Sequence, residues 1–191
     1  GLVFYKLREL KIAKCYFKKT VEIQNNYALA FSSLGNVHVD LREFKEAVSC
    51  YQKAIAINPN LVGIYNNLGL VFRDLNDYQN AVDNYQKAIK IRPDHAGAHH
   101  NIAQAFRELG EFEKSTKAHQ MAIKYEPENL IHYHFLSEIK KDILDPNLRS
   151  KIEKILSSDK VTIANLAYGN YLLAKYERNT KNYEKEFNYL I

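Results

Sequence analysis

Apolar residues recur along this chain at two scales. Within short windows they fall three and four residues apart, as on a helix with one buried face, and the same arrangement returns every thirty-four residues. Leu34, Leu68, Ile102 and Leu136 form one such column; Phe31, Tyr65, His99 and Tyr133 form another; Leu41, Leu75 and Leu109, and Phe44, Tyr78 and Phe112, form two more. Small residues keep the same period in Ala54, Ala88 and Ala122, and Pro59, Pro93 and Pro127 close each copy. A thirty-four-residue period with polar turns at its middle (DLREF, DLNDY, ELGEF) and a proline at its end predicts two antiparallel helices per copy. Full copies occupy residues 28–61, 62–95 and 96–129. Counting back, Ala13, Phe17 and Ile23 place a partial copy over residues 1–27, and counting forward residues 130–142 supply the first helix of another. The period then breaks. Over residues 143–191 the pattern predicts a degenerate helical segment: a helix opening at Asp145-Pro146 with Leu148, Ile152 and Ile155 on one face, then helices over 161–177 and 183–190 that regain the rhythm through Leu173, Ala174, Tyr183 and Phe187.

Each recurring mark has a steric reason. Gly35, Gly69 and Ala103 fall where the second helix of a copy crosses the first closely, so that a minimal side chain is required. Ala47, Ala81 and Ser115 present the complementary small surface, and the aromatic columns fill what remains. A single helix pair cannot bury its apolar face alone, so the expected fold class is all-α, a right-handed superhelical solenoid of stacked antiparallel helix pairs.

The marks FSSLG, AVSCY and NPN, then YNNLG, AVDNY and RPD, then HHNIA, STKAH and EPE resemble the tetratricopeptide repeat family. That resemblance implies a concave groove, lined by first helices, that holds a protein or an extended peptide. The runs HYHFLSEIKK, DPNLRSKIEKIL and LLAKYERNTKNYEKEFNYL are in turn similar to the stretch between repeats and catalytic domain of bacterial tetratricopeptide sulfotransferases. This second resemblance implies a noncatalytic, substrate-recruiting arm of a larger transferase whose sulfonucleotide loop lies beyond Ile191.

Composition narrows the picture. A hydrophobic fraction of 46% in 191 residues supports a real core. No membrane span or signal peptide is visible, and the two cysteines, Cys15 and Cys50, suit a reducing compartment, so the expected location is cytoplasmic. Because Gly1 stands inside a helical pattern, the natural chain is expected to begin upstream. The net charge of +5 comes from Lys6, Arg8, Lys11, Lys14, Lys18 and Lys19 against Glu9; beyond residue 20 the charges balance. Nucleic acid is therefore not an expected partner, since phosphates call for a basic stripe along the surface.

No phosphate loop, nucleophile elbow or acid–base pair is present, so neither enzyme activity nor a cofactor is expected. Five histidines cluster in or beside two neighbouring first helices (His95, His99, His100, His132 and His134), but His132 and His134 are two apart and face different sides, and one-face ligation needs three or four. Packing, not metal, is the expectation. On the first helices the groove stripe reads Ser32, Asn36, Val39; then Asn66, Leu70, Arg73; then His100, Gln104, Arg107. Asn67 and Asn101 flank it and match the asparagine ladder of the repeats in O-GlcNAc transferase, where an amide both gives and takes a hydrogen bond with peptide backbone; Ser33 and Phe135 depart from that ladder. The chaperone carboxylate clamp is disfavoured, because its Lys/Asn pair would here be Ser32 and Asn36. The expected groove contacts are thus Asn36, Asn66, Asn67, Arg73, His100, Asn101, Gln104 and Arg107. A third reading is a structural scaffold that self-associates through solenoid ends.

Overall fold

A computed structural model describes residues 1–140 and 143–189. Among these there are twelve helices and no strand, and the contacts divide the chain into two compact units, Gly1–Pro93 and Asp94–Ile191.

The first unit holds α1 (Leu2–Lys6), α2 (Leu10–Ile23), α3 (Ala28–Asp40), α4 (Phe44–Ile57), α5 (Val62–Asp74) and α6 (Tyr78–Ile91). They pair as α1–α2, α3–α4 and α5–α6. α4 and α6 end before a proline: Asn58 and Arg92 adopt extended angles, as residues preceding proline must. Between the helices of a pair lies a tight turn whose middle residue is left-handed, with φ of 63° at Arg8, 59° at Arg42 and 59° at Asn76. There the amide of Arg42 reaches Val39 O at 2.9 Å and that of Glu43 reaches His38 O at 2.8 Å, a Schellman closure that satisfies the last carbonyls of α3. The same two bonds recur at Asn76 and Asp77.

Ala13, Ala47, Ala54, Ala81 and Ala88 are fully buried. A methyl added at Gly35 would stand 2.6 Å from the ring of Tyr51 on α4; at Gly69 it would strike Tyr85 on α6, and at Gly1 it would strike Phe17 on α2. One contact, glycine under an aromatic ring, is therefore built three times. Lys14 and His38 both bond Glu43 (2.6 Å each), tying α2 and α3 to the next turn and holding the Glu43 carboxyl below the usual range, Lys14 contributing most.

The second unit opens with a further repeat pair, α7 (Ala96–Glu108) and α8 (Phe112–Tyr125), joined through Gly110 at φ 76°. Ser115 takes the place of the alanine column and donates to Ala103 O at 2.7 Å, so its hydroxyl is buried with a partner. Beyond Pro127 come α9 (Leu130–Ile139), α10 (Pro146–Leu156), α11 (Ile163–Asn179) and α12 (Tyr183–Asn188). The helix expected over 130–142 spans Leu130–Ile139, and residues 141–142 lie outside the described residues, as does Leu190 of the helix expected over 183–190.

Here the period departs from the repeat. α9 packs on α8 and α11, and α10 packs mainly on α11. Leu148 and Ile152 of α10 are buried with Leu130, Tyr133, Leu172 and Leu173. The α11–α12 turn again uses a left-handed residue, Lys181 at φ 61°, and repeats the Schellman bonds through Lys181 and Asn182. Relative to the thirty-four-residue register it stands three residues late. Leu173 and Ala174 are buried as expected, whereas Tyr183 and Phe187 are exposed.

Candidate functional site

The candidate contacts all arise from first helices, and the two units present them differently. In the first unit Asn36 of α3, Asn67 of α5 and Tyr51 of α4 form one polar cluster. The Tyr51 hydroxyl donates to Asn36 Oδ1 at 2.6 Å, and Asn67 Nδ2 donates to the same oxygen at 3.0 Å. Burial pushes the Tyr51 hydroxyl pKa up, so it remains a donor at any ordinary pH. The Asn36 oxygen thus bridges two repeats, and the remaining amide capacity is the Asn36 nitrogen, the Asn67 oxygen and the second Asn67 hydrogen. These groups line a concavity of about 240 Å³ that also takes in Tyr5, Val39, Asp40 and Leu70. Tyr5 hydrogen-bonds Asp40, and burial followed by that bond raises its pKa. Asn66 and Arg73 are half-buried on α5, with Arg73 3.5 Å from Asp74.

Tyr51 was not among the expected contacts, because it stands in a core column. Its offset of fifteen residues from Asn36 is the signal that it crosses the groove stripe. One repeat later the equivalent of Asn36 is Leu70, and the Tyr85 hydroxyl, equally buried, has no hydrogen-bond partner.

In the second unit Gln104 Nε2 lies 2.7 Å from His100 Nε2, and His100 is buried, its ring edge-on to Phe135 at 5.1 Å and to His119 at 5.5 Å. His132 of α9 meets His100 through their Nδ1 atoms at 3.3 Å and Glu126 at 3.2 Å. His134 turns the other way, onto Tyr168 and Tyr171 of α11. His119, wholly buried, has neither ring nitrogen hydrogen-bonded, and burial, then the charges of His100, His132 and Arg107, lower its pKa to about 3. Asn101 is half-buried. Arg107 pairs with Glu108 at 3.1 Å and lies over the Phe135 ring at 5.6 Å. Among the described residues no group of three or more His, Cys, Asp or Glu side chains is placed to hold a metal. No helix there is long and apolar enough to cross a membrane.

Each unit offers amides and an arginine on its first helices.

The TPR repeat family profile matches residues 35–72 and 69–110. No curated protein matches the sequence significantly. Among solved structures, pilF of Pseudomonas aeruginosa superposes with a TM-score of 0.80 at 16% identity, covering 99% of this chain and 85% of its own. MamA gives 0.70 at 19% identity, covering 93% of this chain and 95% of its own. The first TPR of Spaghetti (RPAP3), solved bound to the HSP90 peptide SRMEEVD, gives 0.58 at 20% identity over 62% of this chain and 94% of its own. These comparisons do not show the resemblance of the C-terminal third to sulfotransferases. Residues 35–110 thus carry tetratricopeptide repeats, and the fold is the all-α fold of tetratricopeptide-repeat structures.

Proposed function

We propose that the chain is a protein- or peptide-binding module, an interaction scaffold that works through the polar faces of its first helices and not through catalysis. The observation that carries this reading is the Asn36–Tyr51–Asn67 cluster. An amide network braced by a buried tyrosine holds hydrogen-bonding groups at a fixed place in a concavity, which reduces the ordering cost of binding. An extended peptide needs such groups, because its backbone amides and carbonyls lose water on docking. In the second unit Asn101 holds the repeat position of Asn67, and Gln104 and His100 supply the amide and ring. Arg73 and Arg107 add a preference for acidic side chains. The peptide held by the Spaghetti repeat is likewise rich in acid, although Ser32 stands here where the carboxylate clamp has its lysine.

A peptide selected on the intact chain from a random-sequence library tests this. Asn67→Ala and Asn101→Ala should each weaken it by about 0.5–1.5 kcal/mol, one net hydrogen bond. Arg73→Ala and Arg107→Ala should weaken acidic peptides only, by an amount that shrinks as salt rises. Affinity untouched by all four substitutions would move the binding face elsewhere. The alternative, a substrate-recruiting arm of a sulfotransferase-like enzyme, draws on the resemblance of the C-terminal third, from His132 onward, and is tested by the longer reading frame.

A further inference from the structure

The second unit carries another concavity, built from α10, the turn that follows it and the α8–α9 loop instead of the groove stripe. It encloses about 450 Å³, within the range of pockets that take ligands. Its lining is unbalanced in charge: Lys151 and Lys154, three apart on α10, and Lys160 from the turn, against Glu128 alone. The neighbouring cations are neutralised. Arg149 pairs with Glu153 and Glu177, Lys175 with Glu138, and Arg178 with Glu186. Among the described residues, Lys154 and Lys160 form no ion pair.

The walls are fixed. Lys151 Nζ donates to the Tyr133 hydroxyl at 2.5 Å, and that hydroxyl donates to Pro127 O at 3.1 Å, so one ammonium is held in place. Asn165 of α11 accepts from Leu130 N at 3.0 Å and donates to Glu128 O at 2.8 Å, clamping the loop to the helix. Ile155 and Val161 give an apolar floor, and the Ser158 oxygen accepts from Lys160 N at 3.3 Å, which leaves its hydroxyl hydrogen to donate.

We propose that this pocket is a docking site for an acidic segment of a protein partner, whose glutamate or aspartate carboxylates are met by Lys151, Lys154 and Lys160 while their methylenes lie on Ile155 and Val161. Three ammonium groups around one concavity repel one another until an anion enters. Carboxylate is preferred over phosphate because the apolar floor of Ile155 and Val161 suits a side chain with methylenes better than a bare phosphate. The site is separate from the groove of the proposed function, so each can fail without the other.

The test uses the intact chain and three labelled peptides of equal length: one glutamate-rich, one charge-matched with phosphoserine, one with glutamine at the same positions. Fluorescence anisotropy at low salt should show binding of the glutamate peptide and none of the glutamine peptide. Lys154→Gln with Lys160→Gln, both exposed, should weaken it about tenfold, and added salt should erase the difference. Glu128→Gln should strengthen it about two- to threefold by removing the one opposing charge, a gain that misfolding cannot produce. Asn67→Ala should change nothing. Unaltered affinity in the double lysine variant would overturn the proposal. So would tighter binding of the phosphoserine peptide, or a loss that follows Arg73→Ala and Arg107→Ala instead.

Discussion

Tyr51 in the first unit and His119 in the second hold one position of the repeat, and their surroundings have been solved differently. Tyr51 lies over Gly35, and its hydroxyl reaches Asn36, which Asn67 also bonds. His119 stands where that ring would be, with Ala103 at the glycine position, Gln104 at the asparagine position, and no hydrogen bond at either nitrogen. The ring became smaller as its neighbour became larger, so volume was kept. Polarity was not, and the polar tip that braces a cluster in one unit is an unsolvated base in the other. A repeat position therefore specifies shape more strictly than chemistry. Tyr85 stands between the two cases, with the tyrosine and the glycine retained but Leu70 in place of the asparagine, so that its hydroxyl lacks a partner.

The strongest way to break this comparison is to violate the shape. Gly35→Leu or Gly69→Leu should overpack the crossing and cost on the order of 1–3 kcal/mol or more, seen in a urea or thermal melt. His119→Tyr should also destabilise, and adding Ala103→Gly should recover most of the loss. Additive effects in that double-mutant cycle would show that the two positions do not share one space.

Acid sensitivity is a second test of the comparison. His119 titrates near 3 when folded and near 6.5 when unfolded. Protons therefore bind the unfolded chain first as pH falls: stability is full above about 6.5, declines between 6.5 and 3, and levels below. The limiting slope for one such group is about 1.4 kcal/mol per pH unit. His119→Phe should flatten that part of the profile, while His132 and His134, whose pKa values burial also lowers, retain their own contributions. A parent and variant with parallel stability profiles from pH 7 to 4 would mean that His119 is reached by water.

The smallest effect separates the two tyrosines. Tyr51→Phe deletes a hydroxyl with a partner and should cost about 1 kcal/mol, whereas Tyr85→Phe deletes one without and should be neutral or stabilising. Equal melting shifts would remove the distinction between the two clusters.

Much of the fold was legible before any coordinates, for a physical reason: Pro59, Pro93 and Pro127 stop helices wherever they occur, and Ala54, Ala88 and Ala122 mark close crossings whatever surrounds them. The C-terminal region was less so. The turn at Lys181 is of the same kind as those at Arg42 and Asn76 but arrives three residues late, and α10 answers to Leu172 and Leu173 on α11, contacts that no local period encodes. Of the candidate contacts, the sequence places all eight on first helices, as the structure has them. That Asn36 spends its oxygen on Tyr51 and Asn67 depends on the angle at which α4 crosses α3, and that His100 is buried depends on Phe135 and His119 coming from two other helices. Both are properties of packing. The pocket at Lys154 and Lys160 was hidden because its lysines are unremarkable until Asn165 folds the α8–α9 loop over them.

The contact of Gly35 with Tyr51 joins residues only sixteen apart, and Gly69 meets Tyr85 over the same separation. Closing so short a loop costs little chain entropy, and it needs nothing from the rest of the protein. Each helix pair can therefore make its tightest contact as soon as its own residues exist, and a later pair has only to add to a surface already formed. For a chain leaving the ribosome N-terminus first, assembly can keep pace with synthesis, one hairpin at a time.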